Sequence, residues 1–291
     1  MSGRHILDNG ILCVEISQRG AELCAVHKDG HDFMWQGDPL YWGSHSINLF
    51  PYVARMTDKT YTINGEPYNM DIHGFVKDRV LAPMNQACDK ITFVLESDDE
   101  TRAQYPFDFV YSVWYEIVDA TLRITYTVKN RSGYTMYFGI GGHPGFAVPM
   151  EPDLKFEDYY LEFDEPCRPD RILFSKRLLV SGSEPYSLVD DVRLPLTHSL
   201  FDEDAIVLDN AAKSVCLKSA KGARSVTVEY PDFQYLGIWH SPGTDAPFVC
   251  IEPWSSLPSR EGVVEELTGQ RDLICLAKGE VYKNVWSITF K

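Results

Sequence analysis

Three short segments place ionisable side chains among glycines, prolines and aromatic residues. They are DIHGFVKD with His73, GIGGHPGFAVP with His143, and VCIEPWSS with Glu252. Carboxylates and imidazoles are the side chains that most often act as general bases and acids, because their pKa values can be brought near neutral pH. The three segments therefore predict a site that transfers protons.

His143 lies in the segment that is richest in glycine. Glycines let the backbone approach a ligand closely, and Pro144 fixes the backbone conformation after the histidine. A glycine-rich turn can equally hold a histidine with a structural role, so both interpretations stay open. His73, which precedes Gly74 and Phe75, shows a similar pattern with fewer glycines.

Glu252 follows the apolar run FVCI and precedes Pro253 and Trp254. If that run is a buried strand, the carboxylate emerges at its end beside a large aromatic ring. Desolvation there would raise the pKa of Glu252 and make it a better base near neutral pH. The alternative is a glutamate paired with an arginine. Arg55, in FPYVARMTDKT, is a further candidate, because its position after an aromatic stretch suits a pocket as well as a salt bridge.

Aromatic residues lie in or near the same segments. Trp42, Phe75, Trp239 and Trp254 offer flat apolar faces with polar edges, which suit the C–H faces of a sugar ring. Most aromatic residues in a β-protein belong to the core, so these four only support the other observations.

The elements that must position these residues are short strands. Apolar and polar residues alternate from Ile11 to Ile16 and from Ile91 to Leu95, and FVYSVWYEIVDATLRITYTVKN reads as a long hairpin that turns near Asp119. The dipeptide Asn64-Gly65 predicts a type I′ hairpin turn. A short helix is predicted over 260–269, where apolar residues recur about one turn apart.

The chain shows no linker, repeat or low-complexity tract that would divide it. We therefore predict one domain over 1–291, an all-β fold built as a large antiparallel sandwich. Ligand sites in such folds lie on a concave sheet face or on the loops around it.

Composition narrows the class of partner. Lys and Arg number 27 and Asp and Glu 42, which gives a formal net charge of −15 and argues against nucleic acid or an anionic membrane as a partner. The segment MSGRHILDNG has no signal-peptide pattern. The seven cysteines include no C-x-x-C pair, which favours a reducing compartment. These features predict a cytoplasmic protein.

The ordered set of motifs resembles the aldose 1-epimerase (galactose mutarotase-like) family, and within it the LacX-like branch. The resemblance extends from ILCVEISQRGAELCAV to VWSITF. It rests on the following residues: Arg55, His73-Gly74-Phe75, Gly142-His143-Pro144 and Cys250-Ile251-Glu252-Pro253-Trp254. It implies a β-supersandwich with a sugar-binding cleft.

The resemblance also implies roles for individual residues. Glu252 would be the general base and His143 the general acid, while His73 and Arg55 would bind sugar hydroxyls and polarise the ring oxygen. Trp254 and Phe75 would contact the sugar.

An aspartate that holds sugar hydroxyls is expected from the segment LFDEDAIVLDN. Asp202, Glu203 and Asp204 compete for this role, and we select Asp204. Galactose-specific members often have Asn-Arg where this chain has Ala54-Arg55. The resemblance therefore does not identify the sugar that this chain would act on.

The predicted function is the interconversion of α and β anomers of an aldose, with no cofactor and no metal. One alternative is a protein that binds or senses sugars without catalysis. A second is a hexose-6-phosphate 1-epimerase that uses Lys77 and Arg79 for the phosphate. A third is a metalloprotein that uses His73, His143 and His240.

Overall fold

The computed structural model describes residues 3–291, so the first two residues of MSGRHILDNG and of the predicted domain 1–291 lie outside the described part. Strands dominate it. In the hairpin Phe109–Val118 and Thr121–Asn130, buried and more exposed residues alternate, as the sequence pattern predicts. Asp119 adopts a positive φ of 53° at the turn. Asn64 and Gly65 likewise have φ values of 52° and 82°, which confirms the hairpin turn predicted there.

The strands in chain order are β1 (Arg4–Asp8), β2 (Cys13–Ser17), β3 (Leu23–Lys28), β4 (His31–Asp32), β5 (Ser46–Leu49), β6 (Thr60–Ile63), β7 (Glu66–Asn69), β8 (Ala82–Met84), β9 (Lys90–Glu96), β10 (Phe109–Val118), β11 (Thr121–Asn130), β12 (Met136–Phe138), β13 (Gly141–Ala147), β14 (Tyr159–Phe163), β15 (Asp170–Phe174), β16 (Val180–Pro185), β17 (Arg193–Pro195), β18 (Ile206–Asp209), β19 (Ser214–Ser219), β20 (Ser225–Glu229), β21 (Tyr235–Trp239), β22 (Phe248–Trp254), β23 (Ile274–Leu276) and β24 (Val281–Phe290).

Two large sheets form the body of the molecule. One has nine strands in the order β17-β14-β19-β20-β24-β11-β10-β9-β8, and the other has seven in the order β16-β15-β18-β21-β22-β13-β5. Three smaller sheets complete the structure. One has four strands in the order β1-β2-β3-β4, and the other two consist of β6 with β7 and of β12 with β23. Every pairing between these strands is antiparallel.

One core joins the two large sheets. Ile238 and Ile251 of the seven-stranded sheet belong to the same buried cluster as Tyr126 and Trp286 of the nine-stranded sheet. The predicted all-β antiparallel sandwich is thereby confirmed. Strand alternation leaves the other face of the seven-stranded sheet free of this core, and that face carries the site described below.

Helical structure is sparse. The α-helix α1 spans Asp99–Gln104 and begins with a capping box formed by Asp98 and Thr101, a signal that the sequence interpretation did not use. The 3₁₀ segments are Thr57–Lys59, Val76–Asp78, Phe156–Asp158, His198–Phe201 and Leu267–Gly269.

The helix predicted over 260–269 is wrong, since only Leu267–Gly269 forms a single 3₁₀ turn. The backbone carbonyl of Glu265 accepts a hydrogen bond from the amide of Thr62 in β6 instead of from its own segment. The buried Glu265 carboxylate also binds the amide and guanidinium of Arg260. The bond to β6 and the contact within the segment replace helical hydrogen bonds despite the helical spacing.

All seven cysteines carry free thiols. Within residues 3–291, no helix has both the length and the apolar character needed to cross a membrane. The cytoplasmic location stays a prediction.

Candidate active site

The register of the central strands brings two of the predicted residues face to face. Antiparallel pairing matches Gly141 with Trp254 and Gly145 with Cys250, which places His143 of β13 opposite Glu252 of β22. Directly opposite residues of an antiparallel pair project from the same face of the sheet. The cross-strand alignment of two distant segments therefore creates the pair.

Glu252 is flanked on its other side by a position without a side chain. Gly237 of β21 is its direct partner, and a Cβ there would lie 3.2 Å from the Cβ of Glu252 and 3.3 Å from the Trp254 ring. Such contacts are tighter than ordinary van der Waals packing. Gly237 therefore leaves room on the sheet surface beside the carboxylate.

The glycines around His143 have a different role from the predicted one. A Cβ at Gly142 would lie 2.5 Å from the ring of Trp286, and one at Gly145 would lie 3.1 Å from the ring of Trp42. The sequence alone favours close approach by a ligand as the role of these glycines. The structure corrects this, because they admit neighbouring tryptophan side chains that pack around the strand.

His143 and Glu252 are in direct contact. His143 Nε2 lies 3.2 Å from Glu252 Oε2, and both side chains are buried. The indole N–H of Trp254 donates a hydrogen bond of 3.2 Å to the same carboxylate oxygen. Trp42 stacks on the imidazole with ring centroids 4.7 Å apart. Two aromatic side chains thus fix the geometry of the pair.

Burial shifts the proton equilibria of this pair in opposite directions. Loss of hydration raises the pKa of Glu252 well above its usual value, an effect that the Trp254 hydrogen bond opposes and the Asp204 charge strengthens. Loss of hydration also lowers the pKa of His143 to about 3. Both shifts disfavour charged forms. The two shifts favour a protonated carboxyl group beside a neutral imidazole, so that the pair holds one proton in all.

His73 is held in one tautomer by the backbone. Its Nδ1 accepts a hydrogen bond of 3.1 Å from the amide of Ala54, and its own amide donates to the Ala54 carbonyl at 2.9 Å. Because Nδ1 is an acceptor, the neutral ring carries its hydrogen on Nε2. Burial, reinforced by the nearby His143 and Lys77, lowers the pKa of His73 well below its usual value. His73 is thus a neutral hydrogen-bond donor.

A cavity of about 430 Å³ lies over this face of the seven-stranded sheet. Six of the predicted site residues line it: Arg55, His73, His143, Asp204, Glu252 and Trp254. The predicted aromatic residues Trp42 and Trp239 line it as well, together with Ile47, Ile72, Phe174 and Leu178, which carried no recognisable functional signal in the sequence. The cavity therefore joins a buried acid–base pair to aromatic and apolar walls.

Arg55 and Asp204 are two of the charged residues at the more exposed part of the cavity wall. Arg55 is exposed and makes no salt bridge within residues 3–291. Asp204 has a positive φ of 83°, and burial raises the pKa of its carboxyl group while the Arg55 charge opposes the increase. Asp202 and Glu203 line a neighbouring cavity instead. Of the three acidic candidates, only Asp204 lines the cavity that contains Glu252.

The expectation that Phe75 contacts the ligand is corrected by its position. Phe75 is buried in the main core, where it stacks on Phe109 with ring centroids 6.1 Å apart. A Cβ at the preceding Gly74 would lie 2.2 Å from the carbonyl oxygen of Phe50. The Gly74-Phe75 part of the motif therefore serves packing behind His73.

The two cations proposed for phosphate binding, Lys77 and Arg79, lie in different places. Lys77 lines the cavity, although its ammonium group pairs with Asp78. Arg79 pairs with Asp98 and Glu100 near the start of α1. The structure thus assigns one of the two cations to the cavity and the other to an ion-pair cluster.

The three histidines considered as metal ligands do not converge. His240 hydrogen-bonds to His198 and packs on Phe201, whereas His73 and His143 line the cavity. In the part of the chain that the structure describes, two other groups of side chains have possible ligand atoms within 4.8 Å of one another. They are His143, Cys250 and Glu252, and Glu22, Cys24 and His45.

Known proteins resemble this chain in sequence and in fold. Residues 4–289 match the family model described as Aldose 1-epimerase. The chain is 32% identical over 263 residues to the chromosomal protein LacX of Lactococcus lactis subsp. lactis, which covers 86% of this chain and 87% of LacX. Among solved structures, a galactose mutarotase related enzyme from Lactobacillus acidophilus superposes with a TM-score of 0.94 at 31% identity, covering 99% of this chain and 97% of that one.

A more distant neighbour shares the fold. Galactose 1-epimerase from Lactobacillus acidophilus superposes with a TM-score of 0.73 at 15% identity, covering 99% of this chain and 94% of that one. At this identity the likeness extends to the fold alone, which agrees with the predicted sandwich.

Proposed function

The chain belongs to the aldose 1-epimerase family, and from that premise we propose that it interconverts the α and β anomers of an aldose by general acid–base catalysis. The observation that carries the proposal is the contact of 3.2 Å between His143 Nε2 and Glu252 Oε2 inside the cavity. Anomer exchange requires one group that takes a proton from the C1 hydroxyl and another that gives a proton to the ring oxygen. A carboxylate and an imidazole of opposite protonation supply both.

Ring opening proceeds in one balanced step. The Glu252 carboxylate takes the proton of the C1 hydroxyl while the C1–O bond to the ring oxygen breaks. The electron pair of that bond goes to the ring oxygen, which receives the proton of the His143 imidazolium. The resulting aldehyde rotates about its C1–C2 bond, and closure onto the other face reverses both proton transfers.

In this proposal His143 and Glu252 share one proton, which accounts for the reversibility of the step. Before ring opening, the pair is carboxylate and imidazolium; afterwards, it is carboxylic acid and neutral imidazole. The two forms hold the same number of protons, so the form reached after ring opening is the form that closes the ring, and no proton from solvent is needed. Burial of both side chains disfavours the charged form and brings the two arrangements closer in energy. Positioned acid–base catalysis of this kind contributes roughly 10²–10⁴ in rate.

The other residues of the cavity would bind and orient the sugar. His73 donates from Nε2 and Arg55 from its guanidinium, and both can polarise the ring oxygen or hold hydroxyl groups. Asp204 accepts hydrogen bonds from hydroxyls. The rings of Trp42 and Trp239 offer apolar faces for the C–H surface of the pyranose.

The test is polarimetry of freshly dissolved α-D-glucose and α-D-galactose at near-neutral pH. We expect the protein to accelerate the approach to the equilibrium rotation, and Glu252→Gln to remove that acceleration while it retains the fold. Binding of these sugars, detected by tryptophan fluorescence, without acceleration would identify a sugar-binding protein instead. Acceleration that persists in Glu252→Gln would reject the assignment of the base.

We also propose that the protein works in the cytoplasm on a small, uncharged sugar. Its seven free thiols suit a reducing compartment. The hexose-6-phosphate alternative has less support, because Arg79 is paired with Asp98 and Glu100 rather than placed in the cavity. Polarimetry with α-D-glucose 6-phosphate tests this choice directly.

A further inference from the structure

A β-bulge in β3 brings a cysteine next to a glutamate and a histidine. In the pairing of β2 with β3 the register shifts between Glu15 and Ile16, and Cys24 is left without a partner residue on β2. Bulges change the direction of a side chain, and they are common next to functional sites. Glu22, Cys24 and His45 have possible ligand atoms within 4.8 Å of one another, and none of the three lines the first cavity.

The Glu22 carboxylate is fixed by the segment that carries His45. Its Oε1 accepts hydrogen bonds from the amides of His45 at 2.6 Å and Ser46 at 3.3 Å. The Nδ1 atom of His45 lies 3.4 Å from the same oxygen, is shielded from solvent and makes no hydrogen bond within residues 3–291. A Cβ at Gly37 would lie 2.7 Å from Nε2, so the ring is confined on that side. Nδ1 is therefore a buried polar atom that a ligand could satisfy.

The three side chains supply the atoms that zinc prefers. Imidazole nitrogen, thiolate sulfur and carboxylate oxygen bind Zn²⁺ at about 2.0–2.3 Å, in a tetrahedron whose fourth position water can take. A nitrogen and an oxygen ligand of such a tetrahedron are roughly 3.3 Å apart. The distance of 3.4 Å between His45 Nδ1 and Glu22 Oε1 is close to that value. The sulfur of Cys24 disfavours Mg²⁺ and Ca²⁺, which bind oxygen.

Charge favours this group over the other candidate group, His143, Cys250 and Glu252. Burial alone would raise the pKa of Glu22, but contacts with the segment at His45 outweigh burial and lower it, so the group is a carboxylate near neutral pH. Burial raises the pKa of Glu252 well above its usual value and favours its protonated form. A carboxyl group must be ionised to bind a metal. Of the two groups, the one in β3 is therefore prepared for a cation.

We propose that Glu22, Cys24 and His45 bind one Zn²⁺ or a similar divalent cation that accepts a thiolate. The metal binds the Glu22 carboxylate, Cys24 Sγ and His45 Nδ1, and water completes the tetrahedron. The Cys24 thiol, whose pKa burial raises to about 11, releases its proton to solvent as the metal–sulfur bond forms. The weak hydrogen bond of 3.4 Å from this thiol to the Glu22 carbonyl oxygen is lost.

The metal would fasten β3 to the segment that precedes β5. That segment contains Trp42, which stacks on His143 in the first cavity. The carbonyl oxygen of His45 also accepts a hydrogen bond of 2.8 Å from the amide of Gly145 in β13. The metal site thus supports one wall of the first cavity from outside. Its role is structural and does not depend on the proposed epimerase function.

The experiment is a titration of the reduced, metal-free protein with Co²⁺, a spectroscopic substitute for Zn²⁺. We expect one equivalent to produce the near-ultraviolet charge-transfer band of a cobalt–thiolate bond, and Zn²⁺ to displace the cobalt. Cys24→Ala should abolish the band. Cys250→Ala is the matched control, because it removes a buried cysteine of the other candidate group and should retain the band. Absence of the band, or a band that Cys24→Ala retains, would overturn the inference.

A second variant keeps the test valid if Cys24→Ala does not fold. Glu22→Gln retains a carbonyl oxygen that can accept the amide hydrogen bonds of His45 and Ser46, but it removes the charge. We expect it to weaken Co²⁺ binding roughly 100-fold or more, because loss of even an outer partner of a metal ligand costs roughly 10–100-fold. Glu66→Gln, at an exposed glutamate in β7, is the matched control and should leave the affinity within about twofold. Equal affinities in the two variants would also overturn the inference.

Thermal unfolding gives an independent readout. At a hundredfold excess of Zn²⁺ over its dissociation constant, the Tm of the wild-type protein should rise by roughly 5 °C. Cys24→Ala should show no rise. A rise that is absent from the wild type, or equal in both proteins, would contradict a metal site at Cys24. Polarimetry with the same samples tests the proposed epimerase function separately, because neither metal readout depends on turnover.

Discussion

The floor and the rim of the first cavity are built from different kinds of structure. His143 and Glu252 on the floor lie on adjacent strands, where the register of β13 and β22 places them opposite each other. Arg55, His73 and Asp204 on the rim lie in loops, and Ala54, His73 and Asp204 all adopt positive φ values. The floor is buried, whereas the rim is at least partly exposed.

This difference separates the reaction from the recognition of the sugar. A pair of strands in the middle of a sheet holds two side chains rigidly, which suits proton transfer at a defined distance. Loops change in length and sequence without disturbing the sheet, which suits the choice of substrate. Floor variants should therefore lower kcat, and rim variants should mainly raise KM.

The largest effect is expected from the floor pair. Glu252→Gln and His143→Asn should each lower kcat by roughly 10²–10⁴, because each removes one of the two proton-transfer groups. KM should change little. Polarimetric kinetics provide the measurement, and circular dichroism with thermal unfolding checks that both variants are folded. Turnover at the wild-type rate in either variant would contradict the assigned role of that residue.

A variant on the rim should change KM rather than kcat. Arg55→Ala should raise KM roughly tenfold to a hundredfold, the value of a charged hydrogen bond, with a smaller change in kcat. Asp204→Asn should act in the same direction. A loss of kcat at unchanged KM in Arg55→Ala would break the distinction between floor and rim.

A larger residue beside Glu252 should lower kcat although no ionisable group is replaced. Gly237→Ala would bring a methyl group to 3.2 Å from the Cβ of Glu252, so we expect a several-fold loss of kcat from displacement of the carboxylate. Gly133→Ala is the matched control, because a Cβ there meets no atom within 4 Å. Equal activity in the two variants would show that the geometry at Glu252 tolerates displacement.

The pH profile should have an unusual acidic limb. Activity requires the form of the pair that holds one proton. A second proton adds only as pH falls toward the His143 pKa of about 3, and the shared proton is lost as pH rises through the raised pKa of Glu252. The value of kcat/KM should therefore hold steady down to about pH 5, below the ordinary histidine pKa of about 6.5. A midpoint near 6.5 on the acidic side would contradict the shared-proton account.

Sequence patterns predicted the sheets better than they predicted the site. Alternation over Phe109–Val118 and Thr121–Asn130 reflects burial on one face, which any half-buried strand must satisfy. The helical spacing in 260–269 does not produce a helix, because the segment pairs with Thr62 of β6 and its Glu265 side chain binds Arg260 within the same segment.

The limits of the site prediction have physical causes. The motifs around His73, His143 and Glu252 predicted residues that line one cavity. Phe75 belongs to the same motif as His73, but its side chain lies in the core. The choice of Asp204 over Asp202 and Glu203 depends on loop geometry that sequence spacing does not encode. Phe174 and the neighbouring cavity have no sequence signal, since β15 and the loop at Asp204, which are distant in sequence, both line that cavity.

The central claim is that His143 and Glu252 act as one unit that shares a proton, and a double-variant cycle tests it most directly. The measurement is kcat by polarimetry for Glu252→Gln, His143→Asn and the double variant. Residues that act as a unit are strongly non-additive, so the double variant should be within a few-fold of the slower single variant. Losses that multiply in the double variant would mean that the two residues act independently, and the shared-proton mechanism would be wrong.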